Sequence, residues 1–461
     1  MRDGAGLNDA FEITVPVLIV GGGACGVVAA LAAHAAGVSP LVIEQDSHPH
    51  GSTAMSQGLI AAAGTRSQRL HGVEDDGDIF FADILRKTRG QTDPVIARAI
   101  ADESGPALDW LIDAIGMPWE LDTRFRAAYG NSRLRVHGWP GHSGTDMIDL
   151  LHAKLADAAI DVLPDARLVD IIADPDGRVR GIEIARPDGA LERIGCETLI
   201  LASGGFAANA DMVARYMPEA TAARLHAHEG SRGDGIRLAQ TIGAAVGDMG
   251  SYQGYGMLTD PHGITVPPAL ILEDGILVNT LGERFVDETA DIGGMVHPVL
   301  AQPGGHCWVI YDERIEQAAA HIPEAKTLAE LGAARRADDI AALANQLGIN
   351  PGPLTQTIKN THQNPDPFAR DWASDRPPHG PFRALKVVGA LYHTQGGLQI
   401  NGEARVLRGD GSCLPNLFAG GGAARGVSGP SCWGYIPAMG LCAAMTLGRI
   451  AGRQAARLAI R

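Results

Sequence analysis

Long apolar runs are absent from this sequence of 461 residues, and cysteine is scarce. No apolar run reaches the length of about 18 residues that a membrane-spanning helix needs. Residues 1–14 are polar and lack the apolar core of a signal peptide. The six cysteines form no Cys-x-x-Cys and no zinc-like pair, so we expect reduced thiols, a cytoplasmic location and no metal site.

Positive charge is also in short supply, since 38 Lys and Arg face 53 Asp and Glu and the net charge is −15. Such an acidic surface argues against nucleic acid as a partner. Apolar residues make up 45% of the chain, which is enough for a large buried core. The length predicts roughly two to three domains.

Glycine, in contrast, is plentiful, and one cluster of it stands near the start of the chain. The apolar residues 17–20 predict a buried parallel strand, and Gly21, Gly23 and Gly26 follow in G-x-G-x-x-G spacing before a small-residue helix. A second apolar strand ends at Glu44, at about the offset of 20 residues expected for an acid that binds a ribose. The segment predicts a dinucleotide site, and taken alone it suits NAD as well as FAD.

Two later apolar strands also run into glycines, at Ser203-Gly-Gly205 and at Gly420-Gly-Gly422. These repeated strand-to-glycine junctions favour FAD over NAD. Ahead of the first of them, residues 174–177 and 187–189 are strong turn signals, which predict a small antiparallel insert.

The chain changes texture from residue 251, where mixed strands and helices begin, and residues 365–381 form a proline-rich return linker. We therefore predict an α/β protein. Its Rossmann-like domain, a parallel sheet with a small antiparallel insert, consists of residues 1–250 and 377–461. An α+β capping domain, residues 251–376, interrupts it.

Five further motifs complete the pattern: Gly51-Ser-Thr to Gly58, Gly233-Asp-Gly235, Gly282-Glu-Arg-Phe-Val-Asp-Glu288, His393-Thr-Gln-Gly-Gly397 and Gly448-Arg-Ile-Ala-Gly452. With the glycine junctions, they resemble the superfamily of FAD enzymes that contains fumarate reductase, the succinate dehydrogenase flavoprotein and 3-ketosteroid dehydrogenase. The resemblance implies an FAD covered by a mobile capping domain. It also implies hydride transfer, in either direction, between flavin N5 and a carbon beside a carbonyl or carboxylate.

The resemblance also assigns FAD contacts. The histidine that carries FAD in covalent members corresponds to Ser52, which implies non-covalent FAD. The loop at residues 48–58 would wrap part of the cofactor, with a plain surface loop as the alternative, and Asp234 would order its glycine turn and the cofactor. The implied FAD-binding residues are Gly21, Gly23, Ala24, Cys25, Gly26, Glu44, Gln45, Ser52, Thr53, Gly58, Leu168, Val169, Ala202, Ser203, Gly204, Asp234, His393, Gly421, Gly422, Ile436 and Pro437.

The substrate residues depart from the fumarate reductase pattern. The positions of the catalytic arginine and of the C-terminal carboxylate-binding arginine hold Ile292 and Cys432, and the substrate histidine of the capping domain corresponds to Tyr255. Isoleucine cannot donate a proton, and cysteine cannot pair bidentately with a carboxylate. Only His393 is kept from that set, so we reject fumarate and succinate as the natural substrates.

Tyrosines accompany these departures, as in the ketosteroid dehydrogenase branch, although the tyrosine of that branch's C-terminal motif corresponds to Ser428. We expect Tyr255, Tyr392, His393 and Tyr435 to act catalytically, around a carbonyl oxygen and the exchanging proton. The alternative for each tyrosine is a place in the core with its hydroxyl satisfied.

These residues predict an apolar, ketosteroid-like substrate. A reductase of a small unsaturated acid, an FAD-dependent oxidase or hydroxylase, and a non-enzymatic flavin-binding protein are the alternatives. Because the chain has no Cys-x-x-Cys-His for a fused haem, we expect a separate electron donor or acceptor.

Overall fold

A computed structural model describes residues 11–363 and 365–460 of the chain. The polar stretch that argued against a signal peptide, residues 1–14, lies mostly outside the described residues. Among the described residues, no helix is both long and apolar enough to cross a membrane.

The chain divides into two compact units. The first comprises Met1–Met217, Ala227–Tyr252 and His393–Arg461, and the second comprises Pro218–His226 and Gln253–Tyr392. The second unit thus interrupts the first along the chain.

Short strands make up most of the sheet structure, and the longest ones lie in the middle of their sheets. In chain order the strands are β1 (Ile13–Val20), β2 (Pro40–Ile43), β3 (Ile60–Ala61), β4 (Glu120–Leu121), β5 (Val136–Gly138), β6 (Asp161–Leu163), β7 (Arg167–Ala173), β8 (Val179–Ala185), β9 (Leu191–Leu201), β10 (Arg224–Leu225), β11 (Val246–Gly247), β12 (Tyr252–Thr259), β13 (Ile276–Val278), β14 (His306–Asp312), β15 (Arg335–Ala337), β16 (Phe382–Thr394), β17 (Gly397–Leu398), β18 (Arg405–Leu407) and β19 (Cys413–Ala419).

Helices connect these strands, and the longest two stand at residues 94–113 and 439–459. In chain order the α-helices are α1 (Ala24–Ala35), α2 (Gly51–Ala54), α3 (Arg66–Leu70), α4 (Gly77–Lys87), α5 (Pro94–Asp113), α6 (Gly144–Asp157), α7 (Ala210–Tyr216), α8 (Asp234–Thr241), α9 (Pro268–Leu272), α10 (Val296–Leu300), α11 (Glu313–Ala319), α12 (Pro323–Glu330), α13 (Ile340–Leu347), α14 (Pro351–Asn360) and α15 (Met439–Ala459).

The main sheet of the first unit has the order β18-β19-β9-β1-β2-β6, and from β19 to β6 all neighbours are parallel. The last four residues of β1 are fully buried, as expected for a strand covered on both faces. β8 joins antiparallel to β9, and β7 joins antiparallel to β8. Their turns contain Gly177 and Gly189, whose φ angles of 81° and 87° suit glycine. The predicted α/β fold with its antiparallel insert is confirmed.

Helices α1 and α15 pack against each other with almost no side chain between them. A Cβ added to Gly448 would lie 2.4 Å from the Cys25 backbone oxygen, and one added to Gly452 would lie 2.1 Å from that of Ala29. The motif Gly448-Arg-Ile-Ala-Gly452 therefore serves helix packing, with its two glycines one turn apart on one face.

The sheet of the second unit is built around β16. This strand pairs antiparallel with β14 and β15, parallel with β10, and also with β12. Residues 382–388 pair with β14 and residues 390–391 pair with β10. The second unit accordingly extends to Tyr392, whereas the sequence placed the boundary at residue 376. The pairing of β10 likewise brings residues 218–226 into this unit.

A buried ion cluster lies inside the second unit. Arg284 binds Glu288 and Asp366 at 2.8 and 2.7 Å, and Arg370 binds Glu288 at 2.8 Å. All four side chains are at least nine-tenths buried. The motif Gly282-Glu-Arg-Phe-Val-Asp-Glu288 thus supplies a structural salt bridge, which would be costly to break by removing one partner.

The α1–α15 contact predicts that Gly452→Ala destabilises the protein. Alanine is favoured over glycine by about 1 kcal/mol inside a helix. The added methyl would nevertheless lie against the Ala29 backbone, and such overpacking costs about 1–3 kcal/mol. We expect a net loss in the free energy of unfolding, measured by urea denaturation. Gly409→Ala is the control, because a Cβ there meets no atom within 4 Å. A Gly452→Ala protein as stable as the parent would contradict the prediction.

Candidate functional site

The glycine loop of the first unit has no room for side chains. Gly21 has a φ of 110°, and a Cβ added to it would lie 2.4 Å from the Ala202 backbone oxygen. Its N–H donates to the Ile43 oxygen at 2.8 Å. A Cβ on Gly26 would lie 1.8 Å from the Gly21 oxygen. The ends of β1, β2 and β9 and the start of α1 therefore meet at one turn, as in a pyrophosphate-binding loop.

The side chains of Glu44 and Thr53 accept hydrogen bonds from the backbone in and next to this loop. The Glu44 carboxylate accepts hydrogen bonds from the N–H groups of Gly22, at 2.7 Å, and Asp46, at 3.1 Å. The Thr53 hydroxyl oxygen accepts from the N–H of Ala24 at 3.0 Å. The segment after β2 thus contacts the N-terminus of α1.

His152 is a further residue of the loop that the sequence did not reveal. Its Nε2 donates to the Gly22 backbone oxygen at 2.7 Å. Burial lowers the pKa of His152, so the imidazole is neutral at pH 7. The residue lies on α6, 130 residues beyond Gly22, and no local sequence signal connects the two.

The second and third strand-to-glycine junctions also converge. A Cβ on Gly422 would lie 2.7 Å from the Gly205 nitrogen, and one on Gly421 would lie 3.1 Å from the Cys25 Cβ. Within the described residues, the buried hydroxyl of Ser203 has no hydrogen-bond partner. Such an orphaned polar atom beside side-chain-free backbone fits a bound phosphate or ribose group. The residues present therefore fit FAD.

The other predicted cofactor residues also lie in the first unit, but several of them already contact other side chains of the protein. Ser52 is an exposed residue, and its hydroxyl lies 3.3 Å from that of Ser231. Asp234 begins α8 and pairs with Arg237 and Arg167. The remainder are distributed over strand, loop and helix starts: Gln45 beside Gly230, Gly58 against Trp139, Leu168 and Val169 on β7, Gly204 after β9, and Ile436 and Pro437 just before α15.

His393 belongs to a hydrogen-bonded chain in the first unit. Its Nδ1 lies 3.0 Å from Gln395 Nε2, and Gln395 Oε1 accepts from the Ser428 hydroxyl at 3.2 Å. Because Nδ1 accepts from the amide, the imidazole proton is assigned to Nε2; the contact of Nδ1 with the Thr394 oxygen is longer, at 3.4 Å. Burial lowers the pKa of His393 to about 4. His393 is thus a neutral donor through Nε2.

Tyr435 packs beside His393, with ring centroids 5.7 Å apart in an edge-on arrangement. The Tyr435 oxygen accepts a hydrogen bond from the Gly440 N–H, in the first turn of α15. Burial raises the pKa of Tyr435 above its usual value. The phenol therefore stays protonated, and the bond to Gly440 does not use its proton.

Tyr255 and Tyr392 come together in the second unit, with ring centroids 5.4 Å apart. The Tyr255 hydroxyl donates to the Val266 backbone oxygen at 2.5 Å, so its proton is committed. The Tyr392 hydroxyl shares a 2.5 Å hydrogen bond with the Thr265 hydroxyl, in which either can donate. Burial raises the pKa of Tyr392 well above its usual value. The two predicted tyrosines are thus brought together but are bonded differently.

The two positions that were expected to correspond to substrate-binding arginines are buried and hold uncharged residues. Ile292 is 7% exposed and Cys432 is 2% exposed. Arg370 and Arg383, which are buried in the second unit, are bound to the carboxylates of Glu288 and Glu316. Both guanidinium groups are therefore already paired with carboxylates of the protein.

Comparison with known proteins gives a family and several relatives. A model of the FAD binding domain family matches residues 16–443. The chain is 28% identical to a probable fumarate reductase of Shewanella frigidimarina, over 97% of this chain and 76% of that protein. It is 25% identical to a vinyl phenol reductase of Lactiplantibacillus plantarum, over 98% of this chain and 97% of that protein.

Solved structures give the same picture. The open form of a flavocytochrome c3 fumarate reductase is similar with a TM-score of 0.83 and 27% identity, covering 99% of this chain and 80% of that one. A 3-ketosteroid-Δ4-(5α)-dehydrogenase of Rhodococcus jostii is similar in fold, with a TM-score of 0.76 and 24% identity over 97% of each chain. The higher score belongs to the fumarate reductase, so the expected likeness to the ketosteroid branch depends on the site residues alone.

The lowered pKa of His393 predicts a stability that falls in acid. An unfolded imidazole has a pKa of about 6.5, and the folded value is about 4. Between these values the unfolded state binds more protons, so the free energy of unfolding decreases as the pH falls from 6.5 to 4. In urea titrations at a series of pH values, His393→Asn should lose about 2 kcal/mol less in the free energy of unfolding between pH 6.5 and 4 than the parent does. This value allows for the partial exposure of His393 to solvent.

The control is His34→Asn, because His34 is exposed at the end of α1. That variant should keep the parental pH dependence. An unchanged slope in His393→Asn would show that its imidazole is not the acid-sensitive group.

Proposed function

Because the chain belongs to the FAD binding domain family, we propose that it moves a hydride to or from a carbon–carbon bond next to a ketone, in an apolar, ketosteroid-like substrate. Family membership makes the protein an FAD-dependent oxidoreductase. The substrate, the direction of reaction and the non-covalent state of FAD, argued from Ser52, are parts of the proposal.

One observation carries the choice of substrate: the predicted site residues are uncharged at neutral pH. The pKa of His393 lies at about 4, and the raised pKa values of Tyr392 and Tyr435 keep both phenols protonated. According to the resemblance, Ile292 and Cys432 occupy the positions that correspond to the substrate-binding arginines of fumarate reductases. A carboxylate would lose its hydration without gaining an ion pair, which costs free energy, whereas a neutral ketone requires only hydrogen-bond donors.

The proposed mechanism assigns donor roles to these residues. Bound FAD would supply the hydride chemistry at N5. His393, with its proton on Nε2, would donate to the substrate carbonyl oxygen and stabilise the enolate that forms there. In the direction of reduction, Tyr392 or Tyr435 would deliver the exchanging proton to the substrate carbon, since neither has committed its hydroxyl proton to a backbone oxygen. Desaturation would run the same transfer in reverse, with the phenolate as the proton acceptor. Tyr255 would position Tyr392, because its own proton goes to Val266.

A second candidate is reduction of a small unsaturated acid, which the name of the fumarate reductase relative favours. The vinyl phenol reductase relative, which matches along almost its whole length, supports an uncharged substrate instead. Either reaction takes electrons from, or gives them to, a separate carrier. A cytoplasmic location, supported by the six scattered cysteines, is part of the same proposal.

An anaerobic screen read by flavin absorbance tests the proposed substrate. A saturated 3-ketosteroid should bleach the oxidised flavin, or the conjugated enone should reoxidise the chemically reduced flavin. Succinate and fumarate should do neither. Rapid oxidation of the reduced flavin by fumarate, at a rate matching or exceeding that of the enone, would overturn the proposal. Hydrogen peroxide formed in step with substrate loss would instead indicate an oxidase.

The different hydrogen bonds of the two tyrosines predict different effects of removing their hydroxyls. Tyr392→Phe should lower kcat by roughly 100-fold, as expected for loss of a proton donor. Tyr255→Phe should lower it by less than roughly tenfold, since it removes only a bond to a backbone oxygen. For both variants, steady-state turnover measures kcat, and single-turnover flavin reduction or reoxidation measures the rate of the chemical step. Equal losses, or a larger loss in Tyr255→Phe, would reverse the assignment.

A further inference from the structure

Gly22 is the middle residue of the run Gly21-Gly22-Gly23, and side chains bind both its N–H and its carbonyl oxygen. Its N–H donates to Glu44 Oε2 at 2.7 Å, and its carbonyl oxygen accepts from His152 Nε2 at 2.7 Å. We infer that His152 is a positioning residue for FAD. It orients the peptide between Gly22 and Gly23 so that the Gly23 N–H is presented to the pyrophosphate.

The planar peptide transmits this effect. In a trans peptide the carbonyl oxygen and the following N–H point in opposite directions. A carbonyl oxygen of Gly22 that points towards His152 therefore turns the N–H of Gly23 away from it. Gly23 is the N-cap of α1, where backbone N–H groups lack partners inside the helix and bind anions.

This peptide needs external support because its own chain provides little. Gly21, Gly22 and Gly23 have no Cβ, so their φ and ψ angles are weakly restricted and ordering them costs more entropy than for other residues. The hydrogen bond from His152 fixes the peptide before the cofactor arrives. That pre-organisation would appear as tighter FAD binding.

Thr53 reduces the number of backbone donors that α1 offers to a phosphate, which leaves more of that contact to the Gly23 N–H. Its hydroxyl oxygen accepts from the Ala24 N–H, which is the first N–H of α1. One of the usual phosphate-facing donors of the helix is thus already bound within the protein. The remaining donors at this end, including that of Gly23, therefore carry a larger share of the contact with an anion.

The placement of His152 on a helix suits this role. It follows the fully buried Leu151 on α6, so the imidazole is delivered by a rigid element. The neighbouring His50 is bound to Asp149 at 2.9 Å, and that pair is solvent-exposed. His152, in contrast, is directed to the backbone of the loop and contacts it through its single donor.

The test measures FAD affinity of the apoprotein by quenching of FAD fluorescence. His152→Leu should raise the Kd for FAD roughly tenfold, the equivalent of one hydrogen bond. His152→Gln places an amide N–H near the position of Nε2 and should return the Kd to within roughly threefold of the parent. The thermal midpoint of the apoprotein should differ among the three by no more than about 4 °C, the most that loss of one hydrogen bond would cause. His34→Leu, which removes an exposed imidazole from α1 itself, should leave the Kd unchanged.

Three results would each overturn the inference. An unchanged Kd in His152→Leu would show that the hydrogen bond does not act on the cofactor. Equal weakening in the Leu and Gln variants would indicate a role in filling space. A fall in the apoprotein midpoint of more than about 4 °C, accompanying the loss of affinity, would show that His152 supports the fold of the first unit instead.

Discussion

Close approach of backbone to backbone is the constraint on which the first unit depends. Gly21 and Gly26 let three strand ends and the start of α1 meet at distances that even a methyl group would prevent. Gly448 and Gly452 do the same between α1 and α15. The turn that would bind the pyrophosphate and the helix pairing behind it are thus built on one principle: removal of side chains where main chains must touch.

Much of the first unit could be predicted because its signals are local. A parallel strand covered on both faces is a continuous apolar run, and β1 and β2 both show one. The limits of the second unit were harder to place, because they depend on pairing between distant segments. The strand β10 was missed since two exposed residues joined to the edge of β16 leave no pattern in the sequence.

Some residues of the candidate site could be predicted and others could not, again because only local signals can be read from a sequence. His393 stands in a motif that can be recognised, whereas His152 acts on Gly22 from a helix far along the chain. The role of Gln395 was also overlooked, although it lies two residues from His393, because its effect is to fix a tautomer. For Tyr255 the sequence indicates a phenol near the site but not the direction of its proton, and the structure directs that proton to Val266.

The pairing of α1 with α15 also constrains the order in which the chain can fold. Nearly every residue of α1 is buried, yet its partner helix is synthesised about 400 residues later. β19, which pairs with β9, also comes late. On the ribosome, an apolar helix and an open sheet edge must therefore wait for their partners while the second unit is made. Exposed apolar helices and open sheet edges are the features that make partly folded chains prone to aggregate. Loss of the last helix would leave the face of α1 that packs on α15 uncovered.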